Sequence, residues 1–149
     1  MTNVQEGLTR QLTEAIDAAP DARAAMEHVV EHLKTLPFYS WVGIYLLEGD
    51  ELVLGPFLGR PSPHTRIPLH RGLCGAAATE KATIIVDDVN ADPRYLACSF
   101  ETHSEIVVPI MRDGVVLGEL DVDSDQPAAF GPADRALLES VAEALAARL

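Results

Sequence analysis

The chain has 149 residues, with 23 Asp and Glu against 11 Lys and Arg, a formal net charge of −12, and 48% hydrophobic residues. That describes a single domain over residues 1–149 with enough apolar content for a core. The acidic balance argues against nucleic acid and anionic membranes as partners, because both are bound through Lys/Arg patches.

The N-terminus has no basic segment leading into an apolar run, and no apolar stretch approaches the roughly 20 residues of a membrane span. A cytoplasmic location is therefore expected. In that compartment the two cysteines, Cys74 and Cys98, are expected to be reduced or redox-active rather than a structural disulfide.

Val4, Leu8, Leu12 and Ile16 recur every fourth residue and predict an amphipathic helix over 4–18. Pro20 and Asp21 break it and start a second helix carrying Met26, Val29, Val30, Leu33 and Leu36 on one stripe. Pro37 ends that helix. The β-branched and aromatic run Phe38 to Leu47 predicts a strand, and Leu52-Val53-Leu54 its return across a turn at residues 48–51. Residues 55–72 hold seven Gly and Pro and read as an irregular loop around a short strand at Thr65 to Pro68.

A short helix is expected over 73–80 and a buried strand over 83–86. A long connection over 87–103 follows, of the kind that covers or builds a site. Ile106 to Met111 and Val115 to Val122 form a hairpin about Asp113-Gly114. A last helix begins at Gly131-Pro132-Ala133-Asp134, with Pro and an acid in its first turn. The order implies an α+β fold, an antiparallel sheet covered by helices.

Chemistry concentrates in few places. Cys74, in Arg71-Gly72-Leu73-Cys74-Gly75, sits at the predicted start of a helix. Unpaired backbone N–H groups and Arg71 there should lower its thiol pKa. Cys98 lies in the long polar connection among Asp92, Arg94, Glu101 and His103. Glu105 opens one strand of the hairpin. Asp121 and Asp123, two apart on the other, share a face. Like charges there need solvent, a cation or a polar ligand, so the face is either exposed or a site. His28 and His32 are four apart on the second helix but lack the glutamate of a His-Glu-x-x-His pair, so no metal ligand set is assigned. His64, His70 and His103 sit in loops where any of them would be able to tune a thiolate. No Gly-rich phosphate loop, Gly-x-Ser-x-Gly elbow or Cys-x-x-Cys pair occurs.

Taken together, Trp41-Val42-Gly43-Ile44-Tyr45, Leu54-Gly55-Pro56-Phe57, Arg66-Ile67-Pro68, Arg71-Gly72-Leu73-Cys74-Gly75, Leu96-Ala97-Cys98, Ser104-Glu105-Ile106-Val107-Val108-Pro109 and Leu120-Asp121-Val122-Asp123-Ser124 resemble the free methionine-(R)-sulfoxide reductases, stand-alone GAF-domain enzymes. The resemblance runs from about residue 38 to the C-terminus. It implies a GAF-like antiparallel sheet flanked by helices, with the N- and C-terminal helices packed together.

It further implies that Cys98 is the catalytic thiolate and Cys74 the resolving thiol. Glu105, Asp121 and Asp123 would then meet the sulfoxide oxygen and the polar groups of the substrate, and Trp41 and Tyr45 would wall the pocket. One acid should have a raised pKa, so that it protonates the departing oxygen. A sulfenic acid on Cys98 would condense with Cys74 to a disulfide, which a thioredoxin-like external reductant would reset. No bound cofactor is implied.

Many family members carry a further cysteine just before Arg-Ile-Pro. Here Pro61-Ser62-Pro63-His64-Thr65 has none, leaving recycling to Cys74 or an external thiol. The competing reading is a non-catalytic GAF module that binds a small ligand or senses redox state. A sensor of this kind is expected to pass its signal to an attached output domain, and this sequence ends with its last helix at Leu149, so the enzyme is the favoured expectation. Nothing in the sequence excludes a homodimer.

Overall fold

Two periodicities meet in this chain, and each settles one layer. The computed structural model describes residues 3–96 and 101–149. Helices α1 (Asn3–Ala18), α2 (Ala22–Leu33) and α4 (Pro132–Ala146) turn their apolar stripes to one side. Strands β1 (Trp41–Glu48), β2 (Glu51–Leu58), β3 (Arg66–Pro68), β4 (Ile84–Val86), β5 (Ser104–Arg112) and β6 (Val115–Ser124) form one antiparallel sheet in the order β3-β2-β1-β6-β5-β4. A short helix α3 (Gly72–Glu80) and a 3₁₀ turn (Val89–Ala91) complete the described elements.

Because strand side chains alternate, each central strand contributes to two cores. Val42, Ile44, Ile106, Val108, Ile110, Leu120 and Val122 face the helices and pack with Leu12, Ile16, Val29, Leu33, Leu138, Val141 and Leu145. Trp41, Tyr45 and Val107 point the other way, into a second cluster with Leu73, Cys74, Ala77 and Ala78 of α3. The terminal helices do pack together. Arg148 donates to the Ile16, Asp17 and Ala19 carbonyls at the end of α1.

Helix starts follow the capping chemistry. Asp21 accepts the Ala24 N–H at 2.8 Å, and Asp134 accepts the Gly131 N–H at 2.9 Å. Asp134 also takes the Tyr39 hydroxyl at 2.7 Å, tying α4 to the entry of β1.

Among the boundaries that differ from the sequence expectation, two lie in the first hairpin. The first strand begins at Trp41, because Phe38 adopts φ 69° and turns the chain away, leaving its ring 62% exposed. β2 continues through Gly55 and Pro56 to Leu58 rather than ending in a loop. The register slips there, Gly43 pairing with Phe57 and Tyr45 with Leu54, so two β2 residues face one of β1. Proline, which has no N–H to offer a ladder, is tolerated at such a bulge.

β1 and β6 approach closely at Gly118, where a Cβ would stand 2.3 Å from the Tyr45 carbonyl oxygen. Gly118→Ala must push the central strands apart, and a loss of at least about 2 kcal/mol is expected in urea unfolding. Gly7, exposed on α1 with nothing within 4 Å of its would-be Cβ, is the control. Gly7→Ala should raise stability by about 0.5–1 kcal/mol.

Candidate active site

The register of three strands assembles the site. β5 and β6 pair Glu105 with Asp123, Val107 with Asp121 and Pro109 with Glu119. β1 lies on the other side of β6 and pairs Trp41 with Asp123, Gly43 with Asp121 and Tyr45 with Glu119. All of these share the face that α3 covers.

Asp121 and Asp123 are therefore not on an open surface. Glu119, Asp121, Asp123 and Glu105 are 0%, 3%, 4% and 6% exposed. From α3, the buried Cys74 thiol donates to Asp121 Oδ2 at 3.6 Å. The thiol and one carboxylate oxygen each from Glu105 and Asp121 lie within 4.8 Å of one another.

Gly43 explains how the aromatic wall fits. A Cβ there would stand 2.2 Å from the Trp41 ring, so only glycine lets the indole fold over β1. The ring stacks on Phe57 with centroids 5.7 Å apart and lies 6.5 Å from Tyr45. Trp41 Nε1 donates to the Arg60 carbonyl at 2.9 Å, and the Tyr45 hydroxyl donates to the His64 carbonyl at 2.8 Å. These two bonds draw the β2–β3 connection against the sheet. Tyr45, His64, Ile67, Gly72, Leu73, Cys74, Leu96, Glu105 and Asp121 enclose a cavity of about 20 Å³, room for one water. Trp41 and Asp123 adjoin it without lining it.

The electrostatics are those of an acid store. Burial raises the carboxyls of Asp121, Asp123 and Glu119, the last two well above the ordinary range. The neighbouring Asp121 charge adds to the shift of both Asp123 and Glu119. Asp121 is the least shifted in kind, because Glu105, Cys74 and Asp123 all hydrogen-bond to it. A carboxyl–carboxyl hydrogen bond exists only when one partner carries a proton, so the same crowding that raises these acids favours sharing protons among them.

Arg60 lies within reach and lowers Asp123 slightly. It is itself engaged by Asp125 at 2.6 Å and Glu101 at 3.2 Å.

Two expectations change. The Cys74 thiol is not activated. Burial first, then Asp121, Glu119, Glu105 and Asp123, push it well above its ordinary value. The side chain turns from the helix end and exposed Arg71 toward four acids, and desolvation plus like charge outweigh the dipole. The second change is an addition. Glu119 was not singled out in the sequence, yet it lies two positions before Asp121 and shares its face by the same parity. The Cys74 thiol lies against its carboxyl and partly offsets the rise that burial causes, and one oxygen each of Asp121 and Asp123 has no hydrogen-bond partner among the described residues.

Cys98 lies outside the described residues. Leu96, two positions before it in the chain, lines the cavity. His28 and His32 stack with centroids 4.0 Å apart on α2, on the helical side of the sheet. His70 and His103 are exposed.

The GAF domain family description matches residues 21–149. Protein YtsP of Bacillus subtilis (strain 168) is 39% identical over 142 residues, 94% of this chain and 83% of that protein. The free methionine-R-sulfoxide reductase of Saccharomyces cerevisiae is 43% identical over 108 residues, 70% of this chain and 59% of that protein. The solved structure of free methionine-R-sulfoxide reductase from Neisseria meningitidis in complex with its substrate is 38% identical. It superposes with a TM-score of 0.91 over 97% of this chain and 87% of that one.

Glu119 offers a direct stability test. A carboxyl raised in the folded state binds its proton more tightly there than in the unfolded chain. Its contribution to stability is complete below the ordinary carboxylate range and is lost as pH rises through that range toward the raised value. Glu119→Leu should therefore stabilise the protein by about 1–3 kcal/mol at neutral pH. The gain should shrink as pH is lowered toward 4. Thermal unfolding across pH checks both, and a gain independent of pH would contradict the assignment.

Proposed function

The chain belongs to the GAF-domain family, and we propose that it reduces free methionine (R)-sulfoxide to methionine by cysteine thiol chemistry. The observation that carries this reading is the convergence of Glu105, Asp121 and Asp123 beside a buried thiol, under Tyr45 and Trp41. A free amino acid brings an ammonium group and a sulfoxide oxygen. The first needs ionised carboxylate, and the second needs a proton as its S–O bond breaks. A cluster holding both forms supplies both. The 38% identical reductase of Neisseria meningitidis, solved with its substrate, supports the same reading.

In this mechanism the Cys98 thiolate attacks the sulfoxide sulfur. The acid cluster protonates the oxygen, which passes from the substrate sulfur to the Cys98 sulfur as the S–O bond and the newly formed S–S bond break, leaving a sulfenic acid on Cys98 and methionine as the reduced product. The Cys74 sulfur then attacks the sulfenic sulfur, a disulfide forms and water departs. Two electrons from a thioredoxin-like protein restore both thiols.

The roles of Cys98 and Cys74 rest on their matching segments. Asp123, strongly raised and hydrogen-bonded to Asp121, is the proposed proton donor. Asp121, raised less strongly than Asp123 and Glu119, and Glu105 face the ammonium. The cavity of about 20 Å³ is far smaller than the substrate, so binding in this reading parts the side chains over it. A cytoplasmic setting suits the thiol cycle and the lack, among the described residues, of any helix long and apolar enough to cross a membrane. A homodimer is compatible with all of this.

Incubation with free methionine sulfoxide and either thioredoxin with its reductase or a small dithiol should yield methionine. Cys98→Ser should abolish turnover. Cys74→Ser should release one methionine per chain and then stall unless an external thiol is present. Asp123→Asn should lower kcat by about 10²–10⁴-fold while the folded state stays at least as stable, since a buried acid is neutralised. Absence of methionine with both reductants would replace this reading with that of a ligand-binding or redox-sensing module.

A further inference from the structure

We infer that Cys74, Glu105 and Asp121 form a binding site for one zinc-like divalent cation, and that the ion and the sulfoxide substrate exclude one another. Only the exclusion rests on the proposed reductase function. The site itself rests on geometry.

Three observations carry it. The donor atoms of these residues, one thiol sulfur and two carboxylate oxygens, lie within 4.8 Å of one another and are all buried. Asp121 Oδ1 and Asp123 Oδ1, both inaccessible, have no hydrogen-bond partner among the described residues. A buried acceptor without a donor is rare and costly, and a cation is one of the few occupants that satisfies several at once. Finally, the buried polar residues comprise Glu105, Glu119, Asp121, Asp123, two serines and a threonine. No base is among these buried residues of the described chain; half-buried His64 lines the same cavity, and Arg60 is exposed and held by Asp125 and Glu101.

The donor set selects the ion. Thiolate with carboxylates suits zinc, whose bonds of about 2.0–2.3 Å hold tetrahedral ligands roughly 3.5 Å apart. The three donors need close by only about 1 Å to reach that spacing. Asp123, hydrogen-bonded to Asp121, or a water completes the tetrahedron. Calcium and magnesium want six or more oxygens, several from water, and the cavity of about 20 Å³ does not hold that shell. Because Cys74 donates the sulfur, oxidation of Cys74 to a disulfide removes a ligand. Only the reduced pocket binds the ion.

Cobalt(II) is the probe, since a thiolate ligand gives it a ligand-to-metal charge-transfer band that carboxylate and imidazole do not. The reduced full-length protein should bind one cobalt per chain with that band, and zinc should displace it while excess magnesium or calcium does not. Cys98→Ser and the double variant His28→Gln/His32→Gln should keep the band. Cys74→Ser and Cys74→Ala should lose it, with folding checked by circular dichroism. Asp121→Asn should weaken cobalt binding at least about 10-fold. A band that follows Cys98 instead of Cys74, equal competition by calcium, or no band under excess cobalt would each overturn the site.

Methionine sulfoxide should weaken cobalt binding to Cys98→Ser, which cannot turn it over. A Cys74-dependent band that the sulfoxide leaves untouched keeps the metal site and overturns the exclusion.

Discussion

One strand, β6, satisfies two incompatible demands, and the rest of the molecule is arranged around that. Its Leu120 and Val122 belong to the helical core, while Glu119, Asp121 and Asp123 occupy the alternate positions. Burying an ionised carboxylate in apolar surroundings is so unfavourable that the group takes up a proton or a partner instead. Here three such groups follow one another at every second residue. The price is borne by the opposite face, where whole Leu, Ile and Val side chains are removed from water at roughly 1.5–3 kcal/mol each. The two-core design is thus an energetic necessity. A sheet with one solvated face would not need its acids neutralised, and a sheet without the helical core would not tolerate them.

The position of β6 in the sheet matters as much as its composition. It pairs along its length with β5 on one side and β1 on the other. Glu105 and Tyr45 are consequently fixed relative to Asp121 by backbone ladders rather than by side-chain packing. Gly43 and Gly118 serve the same end from β1 and β6. The first leaves room for the Trp41 ring over the strand, and the second lets the strands close. Three of the chemistry-bearing residues are held on rigid elements, which keeps their geometry precise.

Much of this was legible because strands write their burial with a period of two. The Asp113-Gly114 turn fixed the hairpin, and the hairpin fixed the neighbourhood of Glu105, Asp121 and Asp123. The same parity places Glu119 beside them. The strand expected from Val115 has the start that the structure shows, so Glu119 differs from Asp121 and Asp123 only in belonging to no recognised motif. The environment of Cys74 was not legible at all. Its helix N-terminus is real, but pKa depends on which way the side chain points, and only the packing of α3 on the acids decides that. Phe38 and Pro56 show the limits of composition. An aromatic residue next to a strand was turned out by a left-handed backbone, and a proline was absorbed by a bulge.

The pocket has one stiff wall and one compliant wall, and the difference follows from bond energies. The β1–β6–β5 side is held by continuous ladders and by side chains shared with both cores. The opposite side is the β2–β3 connection, tied down by Trp41 Nε1 to the Arg60 carbonyl, Tyr45 hydroxyl to the His64 carbonyl and the exposed Arg60–Asp125 pair. Each hydrogen bond contributes about 0.5–1.5 kcal/mol net, and an exposed ion pair about 0–1 kcal/mol. Releasing this wall costs only a few kcal/mol, whereas shifting β6 would break ladders and both cores together. The Arg60–His64 side is therefore held far more weakly than the sheet side, while α3 and Leu96 close the remainder of the cavity.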